Sequence, residues 1–170
     1  MTRFDQVVEQ EKQKVDQAKA IEAERKNLSE EMKRRYTESF KKAIPQFYQT
    51  LLKNDLWSKE DYKKNILFFS IKQHKEVVWF TYHDNDGDIF RTKYCIDKSG
   101  KYLEVIKSWT GNVVLGFTEI DIDTLADKLF STNYDYCSSE RMATIRKTDT
   151  DEVVFQKLAQ AIRYANKYRN

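Results

Sequence analysis

The sequence predicts an α+β protein with a long N-terminal helical arm, an antiparallel meander sheet of four to five strands packed by helices, and a C-terminal amphipathic helix. The arm is indicated by the first 44 residues, which lack glycine and proline and are rich in strong helix formers. The sheet is indicated by a change after about residue 65, where apolar residues begin to alternate with polar ones. Short turns separate the resulting segments, which excludes helical crossovers and makes the strands antiparallel.

The arm carries a broad apolar stripe at helical spacing, interrupted by two charged residues, Glu11 and Arg25. A coiled-coil dimer through this stripe is one interpretation, and packing of the stripe against the sheet is another. Asn27 and Glu30 have the spacing of a capping box, which predicts one helix with a weak point near Asn27 or two helices that meet there. The stripe comprises Phe4, Val7, Val8, Val15, Ala18, Ile21, Leu28, Met32, Tyr36, Phe40, Ala43 and Ile44.

The density of this stripe predicts the domain organisation. Between Leu28 and Ile44 the apolar residues keep strict helical spacing, which assigns this part of the helix to the core. Residues 1–27 are therefore predicted to be a projecting or self-pairing arm, and residues 28–170 a single α+β domain.

Two further helical signals precede the sheet. Pro45 is expected to end or kink the first helix, because proline donates no backbone hydrogen bond and restricts the residue before it. A second helix is then predicted over residues 46–52. Ser58, followed by Glu60 and Asp61, resembles a helix N-cap with an acidic first turn, which predicts a short helix over residues 58–64.

The predicted sheet has apolar residues on both faces. One face forms a core, whereas the other carries Trp79, Ile106 and Val114 among polar residues, so helices or a partner are expected to cover part of it. Turn residues bound each of the five strands. The strands are predicted at residues 66–72, 76–83, 88–97, 101–109 and 113–119.

Three elements are predicted after the meander. They are a short helix at residues 122–130, an edge strand at residues 142–147, and a last helix at residues 150–168. The last helix has an apolar stripe that is expected to dock on the sheet.

Composition limits the functional classes. The net charge of +3 is too small to imply a nucleic-acid partner by itself. Cys95 and Cys137 lack metal-ligand spacing, and no apolar segment at the start resembles a signal peptide, so a reducing cytoplasm is the expected location. No run approaches the roughly 20 apolar residues that span a bilayer, so no membrane association is expected.

The candidate metal motifs are incomplete. Residues 84–88 resemble part of a calcium loop, but Ile89 stands where that loop needs glycine and Cys95 where it needs glutamate. Glu104 and Lys107 could suggest a nuclease-like pair, yet their spacing points them to opposite faces of a strand. We therefore expect no metal and no cofactor.

An enzyme is the less favoured hypothesis. His74 and His83 could form an acid and base pair only if they converged, and they are predicted at opposite ends of one strand. Cys137 lacks a recognisable base. A small metal-independent nuclease or hydrolase is kept as an alternative.

Basic and aromatic residues give a better functional signal. If they share one surface they could bind phosphates, with aromatic rings stacked on bases. The other interpretation is solvated helix faces of mixed charge. The candidate interaction surface comprises Lys33, Arg34, Arg35, Lys41, Lys42, Lys63, Lys64, Trp79, His83, Arg91 and Lys93.

These observations favour a non-enzymatic macromolecular interaction protein with a protein or ribonucleoprotein partner. By analogy of size and composition alone, the chain is similar to small phage or mobile-element inhibitors of host nucleic-acid-targeting defence complexes, including anti-CRISPR proteins. A nucleic-acid-binding protein with a basic and aromatic surface is the first alternative. Homodimerisation through the arm is a separate hypothesis.

Overall fold

The computed structural model describes residues 3–66, 69–83, 86–111, 113–133 and 150–168. They form two compact units, Met1–Arg35 and Tyr36–Asn170. The α+β architecture predicted from the sequence is confirmed, while the edge strand predicted at residues 142–147 lies outside the described residues. The elements are α1 (Arg3–Asn54), β1 (Ser58–Ile66), β2 (Phe69–His83), β3 (Ile89–Asp97), β4 (Tyr102–Lys107), β5 (Val114–Ile120), α2 (Ile122–Asn133) and α3 (Thr150–Lys167).

Helix α1 is a single helix of 52 residues that continues through both Asn27 and Pro45. The prediction that Pro45 could end the helix was therefore wrong. Proline in a helix interior costs about 3 kcal/mol relative to alanine. Phe40, Ile44 and Phe47 are buried on either side of it, and each such side chain contributes roughly 1.5–3 kcal/mol. Burial of the helix face therefore outweighs the local cost of proline.

The five strands form one antiparallel sheet in the order β1-β2-β3-β4-β5. The sheet curls until its two edge strands meet, because Tyr62 of β1 lies edge-to-face against Phe117 of β5 with ring centroids 5.3 Å apart. The concave face thereby encloses its own core. That core comprises Val77, Trp79, Cys95, Leu103, Val105 and Val114, with Tyr62, Phe117 and Tyr164 packed against it.

The convex face of the sheet is covered by helices. The Phe80 ring lies between the rings of Phe40 and Phe47 of α1, with centroid distances of 6.1 and 6.0 Å. Helix α2 contributes Phe130, whose ring packs edge-to-face on Tyr36 at 5.5 Å. Helix α3 packs on β2, and its Tyr164 reaches the core of the concave face. Each face of the sheet therefore has a buried part, which accounts for many of the apolar residues that the sequence places on both faces.

Residues 58–64 belong to strand β1, so the helix predicted there was wrong. The Ser58 hydroxyl donates to the backbone carbonyl of Val77 at 3.1 Å, and does not cap a helix. Tyr62 pairs with Gln73 and donates a 2.7 Å hydrogen bond to its side-chain oxygen. A helix N-cap contributes only about 1 kcal/mol. The nine residue pairs that β1 forms with β2 outweigh that contribution and make the segment a strand.

Strand β2 is a single strand of 15 residues, so the turn predicted after residue 72 is absent. Residues 69–77 pair with β1, and the segment from Val77 onwards pairs with β3. Because β3 ends at Asp97, opposite Val77, the preceding part of β2 pairs only with β1 among the strands of the described residues. Phe69 and Ile71 in this part of β2 are accordingly exposed.

Candidate interaction surfaces

The β4–β5 hairpin carries a cluster of exposed apolar residues, which we name the hairpin patch: Ile106, Trp109, Val113 and Leu115. Trp109 is fully exposed, and each of the other three is more than two-fifths exposed. Single exposed apolar residues are common on protein surfaces, but a cluster of them marks a candidate binding site.

Backbone hydrogen bonds hold the turn that carries Trp109. The Gly111 N–H donates to the Ser108 carbonyl at 2.8 Å, and the Ser108 N–H donates to the Val113 carbonyl at 2.8 Å. Gly111 has a φ of 73°, a conformation that favours glycine. The Trp109 ring therefore projects, fully exposed, from a hydrogen-bonded turn.

Strand pairing explains the exposure of the other patch residues. Ile106 pairs with Gly116, which has no side chain to cover it. The register shifts at the next pair, Lys107 with Val114, and this leaves Leu115 as an extra residue in β5. Trp109 is the last residue of the strand predicted at residues 101–109 and is not among the residues of the predicted surface. Its position beside the turn residues Thr110 and Gly111 was the signal available.

A second cluster lies on the concave face of the sheet. The Arg91 guanidinium lies 4.6 Å from the centroid of the Trp79 ring, and its Nη1 donates to Glu60 at 3.0 Å. Lys75 pairs with Asp97 at 3.1 Å. Burial raises the pKa of the Cys95 thiol, and the carboxylates of Asp97 and Glu60 raise it further. Cys95 is therefore a protonated core residue and not a nucleophile.

Asp97 is buried, and its carboxylate accepts hydrogen bonds and forms an ion pair. Burial alone would raise its pKa, but hydrogen bonds from the Ser99 side chain, the Lys101 backbone N–H and Lys75 outweigh it and lower the pKa. The Ser99 N–H, the Ser99 hydroxyl and the Lys101 N–H all reach Oδ1, at 3.0, 2.6 and 3.0 Å. This cluster satisfies its own charges, and we interpret it as part of the structure of the sheet.

The basic residues of the predicted surface are dispersed. Lys41 and Lys42 form ion pairs with Asp123 at 2.6 Å and Asp151 at 2.9 Å, and Arg35 lies 3.9 Å from Glu31. Lys63 and Lys64 are consecutive on β1 and so point to opposite faces. Of the predicted set, the structure brings Trp79 and Arg91 into contact. Lys33, Arg34 and Lys93 are exposed, and His83 is the last residue of β2.

The catalytic alternatives find little support in geometry. His74 lies within β2 opposite Asp61, and His83 ends the same strand. His83 lies nine positions after His74, or about 30 Å along the strand at 3.3 Å per residue, so these two strand positions are too far apart to act on one bond. In the part of the chain that the structure describes, no three His, Cys, Asp or Glu side chains form a metal-binding group. Asp84 and Asn85 of the calcium-like segment lie outside those residues.

A shallow apolar groove separates α1 from α3. It has a volume of about 380 Å³ and is lined mainly by Phe47, Phe155, Leu158 and Ile162. Phe155 is 59% exposed. This residue is a useful reference, because it is a large exposed aromatic residue that does not belong to the hairpin patch.

The unit Met1–Arg35 carries its own exposed apolar stripe. Phe4, Val7, Val8, Val15 and Ile21 are each more than half exposed. None of the helices in the described ranges is long and apolar enough to cross a membrane.

Comparisons of this chain with protein-family models, with curated proteins and with solved structures find no match.

Proposed function

We propose that this chain is a non-enzymatic interaction protein that binds a protein partner through the hairpin patch. The observation that carries the proposal is the full exposure of Trp109 on a hydrogen-bonded turn, flanked by three exposed aliphatic residues. Tryptophan is enriched among the residues that dominate binding energy, because burying its large ring against a partner removes much apolar surface from water. An ordered turn also limits the entropy lost when that partner binds.

The chemistry of the hairpin patch favours a protein over a nucleic acid. Ile106, Val113 and Leu115 complement an apolar pocket and offer nothing to a phosphate. Phosphate binding requires cations that replace counterions, and none of the four residues of the hairpin patch carries a charge.

A narrower proposal rests on size and composition alone. Within the class of interaction proteins, these properties favour a cytoplasmic inhibitor from a phage or mobile element. Its partner would be a host nucleic-acid-targeting defence complex.

Affinity capture with a matched pair of variants tests the proposal. The tagged full chain, its Trp109→Ser variant and its Phe155→Ser variant are used as baits in lysate of the cells that naturally contain the protein. We expect one protein partner to be retained by the unsubstituted chain and by Phe155→Ser. Trp109→Ser should recover it at least tenfold less, since loss of a central tryptophan typically costs 2 kcal/mol or more.

Three results would contradict the proposal. They are equal recovery with Trp109→Ser, loss of the partner after nuclease treatment, and the absence of any stable protein partner. Nuclease sensitivity with a steep dependence on salt would instead indicate nucleic-acid binding.

A further inference from the structure

The two charged residues within the apolar stripe of the arm have a symmetric arrangement. Glu11 precedes Ala18 by seven residues and Arg25 follows it by seven. In a helix that pairs with another, residues seven apart lie on one line along the contact. Glu11, Ala18 and Arg25 therefore occupy the centre of the stripe, with opposite charges equidistant from a small residue.

This arrangement distinguishes the two ways in which the arm could pair with a second copy. In a parallel pair in register, Glu11 would face the partner's Glu11 and Arg25 the partner's Arg25, and both contacts are repulsive. In an antiparallel pair centred on Ala18, Glu11 faces the partner's Arg25. Because a twofold axis relates the copies, the same ion pair forms twice.

The remaining residues of the stripe suit the antiparallel pair. Ala18 meets the partner's Ala18 at the centre, where small side chains allow the helices to approach closely. Val7 lies at the level of the partner's Leu28, and Ile21 lies at the level of the apolar stem of the partner's Lys14. Val7 and Ile21 are more than half exposed in the single chain, so such a pairing removes apolar surface from water.

The side chains of Glu11 and Arg25 are available to form ion pairs with a second copy. Glu11 bonds Lys14 at 2.7 Å within the helix, but both side chains are more than three-fifths exposed, so this ion pair contributes little. Arg25 forms no ion pair with any of the residues that the structure describes.

We propose that the N-terminal helix dimerises the protein as an antiparallel coiled coil centred on Ala18, with a second copy of this chain as the partner. The proposal concerns residues 4–28 and is independent of the hairpin patch. A dimer would carry two copies of that patch, which increases avidity for any partner that offers two sites.

Light scattering on the full chain at several concentrations tests the dimer. We expect a mass of twice the 20.3 kDa of the single chain. Glu11→Arg and Arg25→Glu should each raise the dissociation constant roughly tenfold, because each turns two attractive contacts into repulsive ones. The double variant Glu11→Arg/Arg25→Glu restores the ion pairs and should restore the dimer. Glu9→Arg, on the opposite face of the helix, is the control and should leave the dissociation constant unchanged.

Disulfide formation tests the orientation. An equimolar mixture of the Glu11→Cys and Arg25→Cys chains should yield a covalent heterodimer, whereas the Glu11→Cys chain alone should not exceed the background of the unsubstituted chain. A covalent Glu11→Cys homodimer would indicate parallel helices and overturn the proposal. A monomer at every concentration, or a double variant as weak as the single ones, would also overturn it.

Discussion

Asp97 and Lys157 are charged side chains that the fold buries, and they respond differently to burial. Asp97 lies at the end of β3 and accepts hydrogen bonds from the turn that follows it. Lys157 lies on the buried side of α3, where burial lowers its pKa to about 7. Hydrogen bonds favour the charged form of Asp97, whereas burial disfavours the charged form of Lys157, so both residues make stability depend on pH.

Replacement of Asp97 by Asn should reduce the free energy of unfolding by about 1–3 kcal/mol near pH 7, because it removes the charge that orients Ser99, Lys101 and Lys75. The pKa of Asp97 is lowered in the fold. Its contribution is therefore present above the unfolded-state pKa of about 4 and is lost as the pH falls through the lower folded-state pKa.

Urea unfolding of both proteins across this pH range provides the measurement. Asp123→Asn is the control, since its pair with Lys41 is solvent-exposed and should be worth under about 1 kcal/mol. If the two proteins still differed by the same free energy of unfolding at acidic pH, the predicted contribution of the Asp97 charge would be contradicted.

The lowered pKa of Lys157 predicts that the free energy of unfolding rises as the pH increases. The unfolded chain binds a proton at Lys157 below about pH 10.5, whereas the folded chain does so only below about pH 7. Between pH 7 and 9.5 the free energy of unfolding should therefore rise by about 3 kcal/mol more than in Lys157→Met. Parallel pH dependences in the two proteins, measured by chemical denaturation, would show that Lys157 keeps an ordinary pKa.

Strands β3, β4 and β5 lie close to the positions predicted from the sequence, because Gly100 and Gly111 mark the turns that separate them. Strand β1 was missed. Its residues resemble an N-capped helix locally, and only pairing with β2 makes them extended. The contact between Tyr62 of β1 and Phe117 of β5 could not be predicted either, because sheet curvature depends on contacts between strands that are distant in sequence.

Pro45 offers a test of the balance between local and tertiary energies in α1. Pro45 is exposed, and the helix continues through it. Pro45→Ala should therefore raise the free energy of unfolding by about 1–3 kcal/mol, since it restores a hydrogen bond to the carbonyl four residues earlier. Gln49→Ala, at another exposed position in the helix, should change it by less than about 0.5 kcal/mol. A destabilised Pro45→Ala variant would show that the proline suits the local geometry of α1.

The surface that binds a partner was harder to predict from the sequence than the fold of the whole molecule. Trp79 and Arg91 were selected as an aromatic and a basic residue that could share one surface, but they stack on each other and Trp79 is buried. Trp109 was overlooked because its strand-like sequence resembles that of the buried strands. Exposure depends on whether another element packs over a residue, and local sequence does not record that.

Site-specific photocrosslinking tests whether Trp109 docks on a protein. A photoreactive amino acid is placed at Thr110, which is exposed and next to Trp109, or at Phe155 as the control position. In the cells that naturally contain the protein, we predict one crosslinked protein from position 110. The crosslink should be absent from position 155, and also from position 110 when Trp109→Ser is introduced. Crosslinks that persist with Trp109→Ser, or that form only to nucleic acid, lipid or a second copy of this chain, would contradict the claim.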